Sequence, residues 1–171
     1  MNIFMKKGFI RTLNFRKNLV CGFTAIEIII AIAVLGIILA VILPSLSTFR
    51  NDQTLKNTAD DIATLLNQAR TDTLSSKNST YYSVHFQSDR AVYFVGGTYN
   101  SGASTNKTVM FDSTVTLPSG NISLNGAGAN VTFDRLTGNT NEYGTITIQL
   151  AGDSTKQKVI TVTKTGIVSA N

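Results

Sequence analysis

The sequence is poor in the residues that build metal-stabilised or disulfide-stabilised domains. Its 171 residues include one Cys, one His, two Pro and no Trp, and charged residues make up only 15%. A structural zinc site typically has about four Cys or His ligands, and a disulfide scaffold needs several Cys pairs, so we expect neither. The 43% share of hydrophobic residues argues against a disordered chain. The length fits one domain.

Positive charge is confined to the N-terminus. Residues 1–22 contain no acidic side chain and five basic ones, Lys6, Lys7, Arg11, Arg16 and Lys17. Residues 23–171 hold ten basic and ten acidic side chains, so this larger part is neutral despite the overall charge of +5. A nucleic-acid interface normally needs clustered positive charge, and nucleic acid is therefore not an expected partner.

Residues 23–43 form an apolar run that contains a single charge. The run reads FTAIEIIIAIAVLGIILAVIL, and Glu27 is its only charged residue. As an α-helix it extends about 31 Å, which matches the hydrocarbon core of a bilayer. The basic residues before it predict a single-pass protein with a cytoplasmic N-terminus and an exported C-terminal part. Cys21 then lies on the cytoplasmic side, so the exported part has no disulfide.

Residues 44–77 are predicted to continue the helix with one apolar face. That face consists of residues that recur every three or four positions, Leu55, Ala59, Ile62, Leu66, Ala69 and Thr73. Pro44 lacks an amide hydrogen and its ring clashes with the preceding turn, so a kink is predicted at Pro44. We therefore expect one long helix with a membrane-embedded half and a half that packs against a folded head.

From residue 78 the pattern changes to that of short β-strands. Apolar and polar residues alternate at 82–86, and short apolar segments follow at 91–95, 108–111, 121–124, 130–133, 145–150 and 158–162. Glycines between the segments predict turns, and no second helix is long enough for the crossover that a parallel sheet requires. The predicted fold class is α+β, with a long N-terminal helix packed on an antiparallel β-sheet head at 78–171.

The junction at Gly22 and Phe23 carries the sharpest functional signal. A secretory signal peptide is cut after its apolar segment, and the residues LPSLSTF that follow Leu43 offer only a weak site. A carboxylate such as Glu27 is costly in an apolar helix unless it reaches the interface or meets a cation. Cleavage between Gly22 and Phe23 would create such a cation, a new α-amino group, and a neighbouring copy shifted along the helix axis suits Glu27 better than the same chain.

The segment from Gly22 to Glu27 resembles the prepilin peptidase site of type IV pilins and type II secretion pseudopilins. The basic leader at 1–22, the apolar helix and Pro44 match that family in kind and spacing, although Ala25 replaces the more usual leucine. The resemblance implies cleavage after Gly22, N-methylation of Phe23, and use of Glu27 to position the subunit in a filament. It also implies four kinds of partner: other pilin subunits, a prepilin peptidase, an inner-membrane platform protein and an assembly ATPase.

The C-terminal segments VTFDRLTGNT (131–140), TITIQL (145–150) and VITVTKTGIV (159–168) resemble those of GspH/FimT-type minor pilins. The resemblance implies a minor pseudopilin of a type II secretion pseudopilus, held in the bacterial inner membrane with its head in the periplasm before assembly. One alternative is a FimT-like minor pilin of a type IV pilus, with a role in adhesion, twitching or DNA uptake. Another is an unprocessed, signal-anchored envelope domain that binds a ligand.

Other candidate residues favour a structural protein over an enzyme. His85 is the only histidine, and strand alternation predicts an exposed position opposite Val84 and Phe86. Asp60 and Asp61 are adjacent on the helix and point about 100° apart, which is poor geometry for a catalytic pair. The glycines at 126 and 128 lack the third glycine and the helix of a dinucleotide site, so no cofactor is expected. A small set of lysines near the C-terminus is expected to guard a sheet edge: Lys156, Lys158 and Lys164.

Overall fold

The structure is a computed structural model that describes residues 22–126 and 128–171. Apart from Gly22, the predicted leader lies outside the described residues. The chain divides into two compact units, with the boundary in sequence between Ile42 and Leu43. The described residues form one α-helix, two 3-10 helices at Lys77–Ser79 and Ser119–Asn121, and nine β-strands.

The helix, α1, spans Ala25–Leu74. The strands are β1 (Tyr82–Phe86), β2 (Arg90–Val95), β3 (Lys107–Met110), β4 (Val115–Thr116), β5 (Ile122–Leu124), β6 (Asn130–Thr132), β7 (Gly144–Leu150), β8 (Asp153–Val162) and β9 (Val168–Ala170). The helix ends three residues before the predicted position 77. The strands β4 and β9 were not predicted, and β8 begins five residues earlier than expected.

The first unit contributes the apolar part of α1. Its large side chains are exposed along the whole run, from Ile26 at 61% to Ile42 at 51%. In the described part of the chain, α1 is the one helix that is long and apolar enough to cross a membrane, judged by length and composition. The helical backbone continues through position 44, and the kink predicted at Pro44 stays a prediction.

The second unit buries the predicted apolar face of α1. All six residues of that face are at most 3% exposed: Leu55, Ala59, Ile62, Leu66, Ala69 and Thr73. The five apolar members pack in one core with sheet residues that include Val84, Phe133 and Ile146, and the Thr73 hydroxyl accepts a hydrogen bond from the Tyr82 amide at 2.9 Å. The prediction of a helix packed on a β-rich head is confirmed, because the helical period of three to four residues places these side chains on one side.

Two antiparallel sheets make up the head. The first has the order β3-β2-β1-β6, and the second has the order β4-β7-β8-β9, with β5 also paired to β7. Every pairing is antiparallel, as predicted. The fold class is therefore α+β. The segment after β2 folds back over the outer face of the first sheet, where Tyr99 contacts Phe94 edge to face.

Candidate functional site

The residues before the helix form an accessible, non-helical segment. Gly22, Phe23 and Thr24 precede the first helical residue, Ala25, and all three are exposed. The Phe23 side chain is 79% exposed, and a Cβ built on Gly22 would meet no atom within 4 Å. A peptidase needs such an exposed, non-helical segment, because a peptide bond inside a hydrogen-bonded turn is held away from it.

Thr24 caps the helix. The Glu27 amide donates to the Thr24 hydroxyl at 3.3 Å and to the Thr24 carbonyl at 3.1 Å. Glu27 therefore stands at the third helical position after a threonine cap, which is the spacing of a capping box. Its negative charge is also favourable at the positive end of the helix dipole. The sequence analysis missed this local role, although the pattern Thr-x-x-Glu signals it.

Glu27 forms no ion pair with another described residue. Within residues 22–126 and 128–171, the ion pairs are those of Asp52, Asp72 and Asp89. Glu27 is exposed and is followed by an unbroken apolar run of helix. A carboxylate in such surroundings strongly favours a cation at the same depth.

The C-terminal glycines of the head surround Arg70 of the helix. The Arg70 side chain donates from Nε to the Gly138 carbonyl at 3.2 Å and from Nη2 to the Thr165 carbonyl at 3.3 Å. Gly166 has φ +75°, and a Cβ there would overlap the Gly138 carbonyl oxygen and press on Arg70. Gly138 and Gly166 lie in two turns that both approach the helix at Arg70. Glycine is needed in these turns because a larger residue would collide there.

A second group of polar contacts joins the last turns of the helix to the first sheet. The Tyr93 hydroxyl donates to Asp72 Oδ2 at 2.7 Å, and Lys77 Nζ lies 3.4 Å from the same oxygen. Burial opposes ionisation of Asp72, but the hydrogen bonds from Tyr93 and Lys77 outweigh it and hold the pKa of Asp72 below its usual value. Burial, with the hydrogen bond to Asp72, raises the pKa of Tyr93.

The lysines near the C-terminus have separate environments. Lys156 Nζ contacts Asp52 Oδ2 of the helix at 3.0 Å. Lys156 and Lys158 lie in the first half of β8, whereas β9 pairs only with its second half, from Ile160 to Val162. In the described structure the first half of β8 therefore has no neighbouring strand on one side. This is as expected for lysines that protect a sheet edge from unwanted pairing. Lys164 lies in the turn after β8 and is exposed.

His85 is not an exposed residue, contrary to the prediction. Its ring stacks on Tyr99 with the centroids 4.0 Å apart, and Nδ1 lies 2.6 Å from the Asn130 side-chain oxygen. The sequence pattern gave no sign of this, because the segment that covers the strand lies outside it. Asp60 and Asp61 are exposed, as expected. Among the residues that the structure describes, no group of three or more His, Cys, Asp or Glu side chains is arranged to hold a metal ion.

Comparisons with known proteins bear on the head and on the fold. Residues 58–166 match the family described as Type II transport protein GspH. The crystal structure of the type IV minor pilin FimU from Pseudomonas aeruginosa (strain PAO1) has a similar fold, with a TM-score of 0.51 at 15% sequence identity. The similarity covers 68% of this chain and 92% of the FimU chain. No curated protein sequence matches the chain significantly.

Proposed function

Since the chain belongs to the GspH family of the pilin and pseudopilin superfamily, we propose that it is a minor pseudopilin of a type II secretion pseudopilus. In this role it is a structural subunit that contributes to pseudopilus assembly and protein secretion, and it performs no catalysis. The family match covers the packed part of the helix and most of the head. It does not extend to the junction at Gly22, so the processing of that junction is part of the proposal.

One observation carries the proposal: among the described residues, Glu27 has no ion-pair partner, and it stands at the start of a long, exposed apolar helix. An exposed apolar surface of this length needs lipid or other helices as a cover. Lipid alone gives the carboxylate no counter-charge, whereas a bundle of like helices can bring a chain end from another copy to the same depth. The residues therefore suit a subunit that moves from a membrane into a helical bundle.

In the proposed pathway a prepilin peptidase cleaves after Gly22, and Phe23 becomes the N-methylated first residue. The new α-amino group is neutralised by Glu27 of an adjacent subunit in the filament. Before assembly the chain spans the bacterial inner membrane once, with its N-terminus in the cytoplasm and its head in the periplasm. Removing the helix from lipid is unfavourable, because about 20 apolar residues are buried there. We therefore propose that an inner-membrane platform and an ATPase supply the energy for this extraction.

The test is the N-terminus of the mature protein. Intact-mass measurement and Edman sequencing of the native membrane form should begin at Phe23, followed by Thr-Ala-Ile-Glu. Gly22→Val should retain the leader, because a branched side chain replaces the open space next to the scissile bond. Full retention of residues 1–22 in the unchanged protein would contradict the proposal and favour a signal-anchored envelope domain.

A second candidate function is that of a FimT-like minor pilin in a type IV pilus. The fold similarity to the minor pilin FimU favours it, because that protein is named as a type IV pilin. Deletion of the gene distinguishes the two systems. Loss of secreted proteins with normal pili supports the pseudopilus, whereas loss of twitching, adhesion or DNA uptake with normal secretion supports the pilus.

A further inference from the structure

We propose that a polar cavity at one end of the first sheet binds a sugar ring of an uncharged glycan. The cavity lies where β1 begins and where β2 and β6 end, since Tyr82 pairs with Val95 and Ser83 pairs with Thr132 at this end. Its volume is about 290 Å³, and all of its lining residues belong to the head. The proposal goes beyond the proposed function and does not rest on it.

A tyrosine ring borders the cavity. The Tyr81 side chain is 40% exposed and lies against Gly97, where a Cβ would come within 3.2 Å of the Tyr81 hydroxyl. The Tyr81 carbonyl accepts a hydrogen bond from the Gly96 amide at 2.9 Å, which ties the backbone of Tyr81 to the end of β2. A half-exposed tyrosine offers an apolar ring together with a polar hydroxyl, and the C–H face of a sugar packs on such a ring.

A glutamate is held at the cavity through only one of its two carboxylate oxygens. Glu142 Oε2 accepts hydrogen bonds from the Thr132 amide at 3.1 Å and from the Thr140 hydroxyl at 3.2 Å. Thr140 is 1% exposed, so one of these two donors comes from a buried residue. Because both bonds use Oε2, the carboxylate is fixed in place before a ligand arrives, and Oε1 is the acceptor for a ligand hydroxyl.

Two further side chains, of opposite charge, line the cavity without pairing with each other. Asp134 and Arg135 are adjacent in sequence and exposed. The ion pairs in the part of the chain that the structure describes are instead those of Asp52, Asp72 and Asp89. A planar carboxylate and a planar guanidinium are therefore both open to a ligand, the first as an acceptor and the second as a donor.

The mixture of charges selects the class of ligand. The cavity is lined by two carboxylates, Asp134 and Glu142, and by one cation, Arg135. Two other cations, Arg70 and Lys164, lie near the turn that follows β6 but do not line the cavity. An anion would meet two like charges, and a cation would leave Arg135 without an acceptor. A hydroxyl both donates and accepts, so a neutral sugar satisfies all three charged groups.

Saturation-transfer difference NMR of the full-length chain tests the proposal, in micelles of a detergent that has no sugar headgroup. The probes are glucose, galactose, mannose and N-acetylglucosamine. At least one of them should bind with a Kd of about 1 mM, the affinity that a ligand of about 12 non-hydrogen atoms reaches at ordinary ligand efficiency. Absence of saturation transfer to all four sugars would overturn the proposal.

Matched variants test whether the sugar binds in this cavity. Tyr81→Ala should weaken binding about tenfold. Tyr143→Ala is the control and should bind normally, because Tyr143 is equally exposed at 40% and does not line the cavity. Asp134→Asn should weaken binding about fivefold by removing a charge-assisted hydrogen bond, and circular dichroism checks that this exposed substitution leaves the fold intact. Normal binding by Tyr81→Ala and Asp134→Asn would place the sugar elsewhere and overturn the site.

Discussion

The hydroxyl of Tyr93 on β2 donates a 2.7 Å hydrogen bond to Asp72 in the last turns of the helix. The Asp72 side chain is only 17% exposed, so the bond holds a largely covered carboxylate. It lies at the opposite end of the packed helical stretch from the ion pair between Asp52 and Lys156. The two contacts fix both ends of this stretch against the head.

The first prediction concerns the pH dependence of the Asp72 contact. Because the folded-state pKa of Asp72 is lowered, its contribution to stability is present above the ordinary aspartate pKa of about 3.9. It is lost as the pH falls through the lowered value. Tyr93→Phe should cost about 1.5 kcal/mol at neutral pH and progressively less below about pH 4.

Thermal unfolding of the detergent-solubilised chain between neutral pH and pH 3 measures both effects. Phenylalanine keeps the aromatic ring that stacks on Tyr82 at 5.2 Å between centroids, so the variant isolates the hydroxyl. A cost that does not change with pH would show that Tyr93 stabilises the head by some means other than Asp72 ionisation.

The second prediction concerns the glycine turn around Arg70. Gly166→Ala forces a Cβ into the Gly138 carbonyl and a non-glycine residue into φ +75°. We expect a loss of about 3 kcal/mol or more in the free energy of unfolding. The matched control is Gly120→Ala, where no atom lies within 4 Å of the new Cβ, and it should change stability by less than about 0.5 kcal/mol. Similar denaturation midpoints for the two variants would refute the close approach at Gly166.

The third prediction separates the charge of Glu27 from its part in the helix cap. Glu27→Gln retains a capping-box side chain but removes the charge, so leader cleavage should continue while incorporation into filaments falls about tenfold or more. Glu27→Ala should also be cleaved and poorly incorporated. Thr24→Ala removes about 1 kcal/mol of capping and keeps the carboxylate, so its incorporation should remain near normal.

Quantitative immunoblotting of sheared filaments against the membrane fraction measures incorporation for all three variants. The opposite ranking, with Glu27→Gln normal and Thr24→Ala excluded, would mean that Glu27 serves only to cap the helix.

The fourth prediction concerns His85. His85→Ala removes the ring on which Tyr99 stacks and should destabilise the head by about 1 kcal/mol. Assembly and secretion should be unaffected at temperatures where the head remains folded, because His85 has a structural role. Unfolding curves and a secretion assay are the measurements. Loss of function with unchanged stability would point to chemistry at His85 and against a purely structural protein.

The helical part of the fold was predictable residue by residue. The face from Leu55 to Thr73 depends only on a local period, and the structure buries each member that the sequence indicated. Strand existence was also local, since Tyr82, Val84 and Phe86 alternate with polar residues. Pairing was not predictable, because the contact of β1 with β6 joins Val84 to Val131 and depends on register between distant segments.

In the candidate site, too, some residues could be predicted from local sequence and others could not. The residues from Gly22 to Glu27 are contiguous, so their pattern was visible in the sequence. Arg70 gave no signal, because its partners lie 68 and 95 residues away at Gly138 and Thr165. The partial burial of His85 was missed for a related reason, since the ring that stacks on it belongs to Tyr99 in an irregular segment.

The polar contacts along the helix have a mechanical consequence. Asp52, Arg70 and Asp72 tie the helix to three parts of the head: β8, the two glycine turns, and β2. They span 20 residues, or about 30 Å of helix, with the buried apolar face between them. A force along the helix axis therefore loads these polar contacts in shear and at the same time. The contacts share the tension, so they do not break one after another.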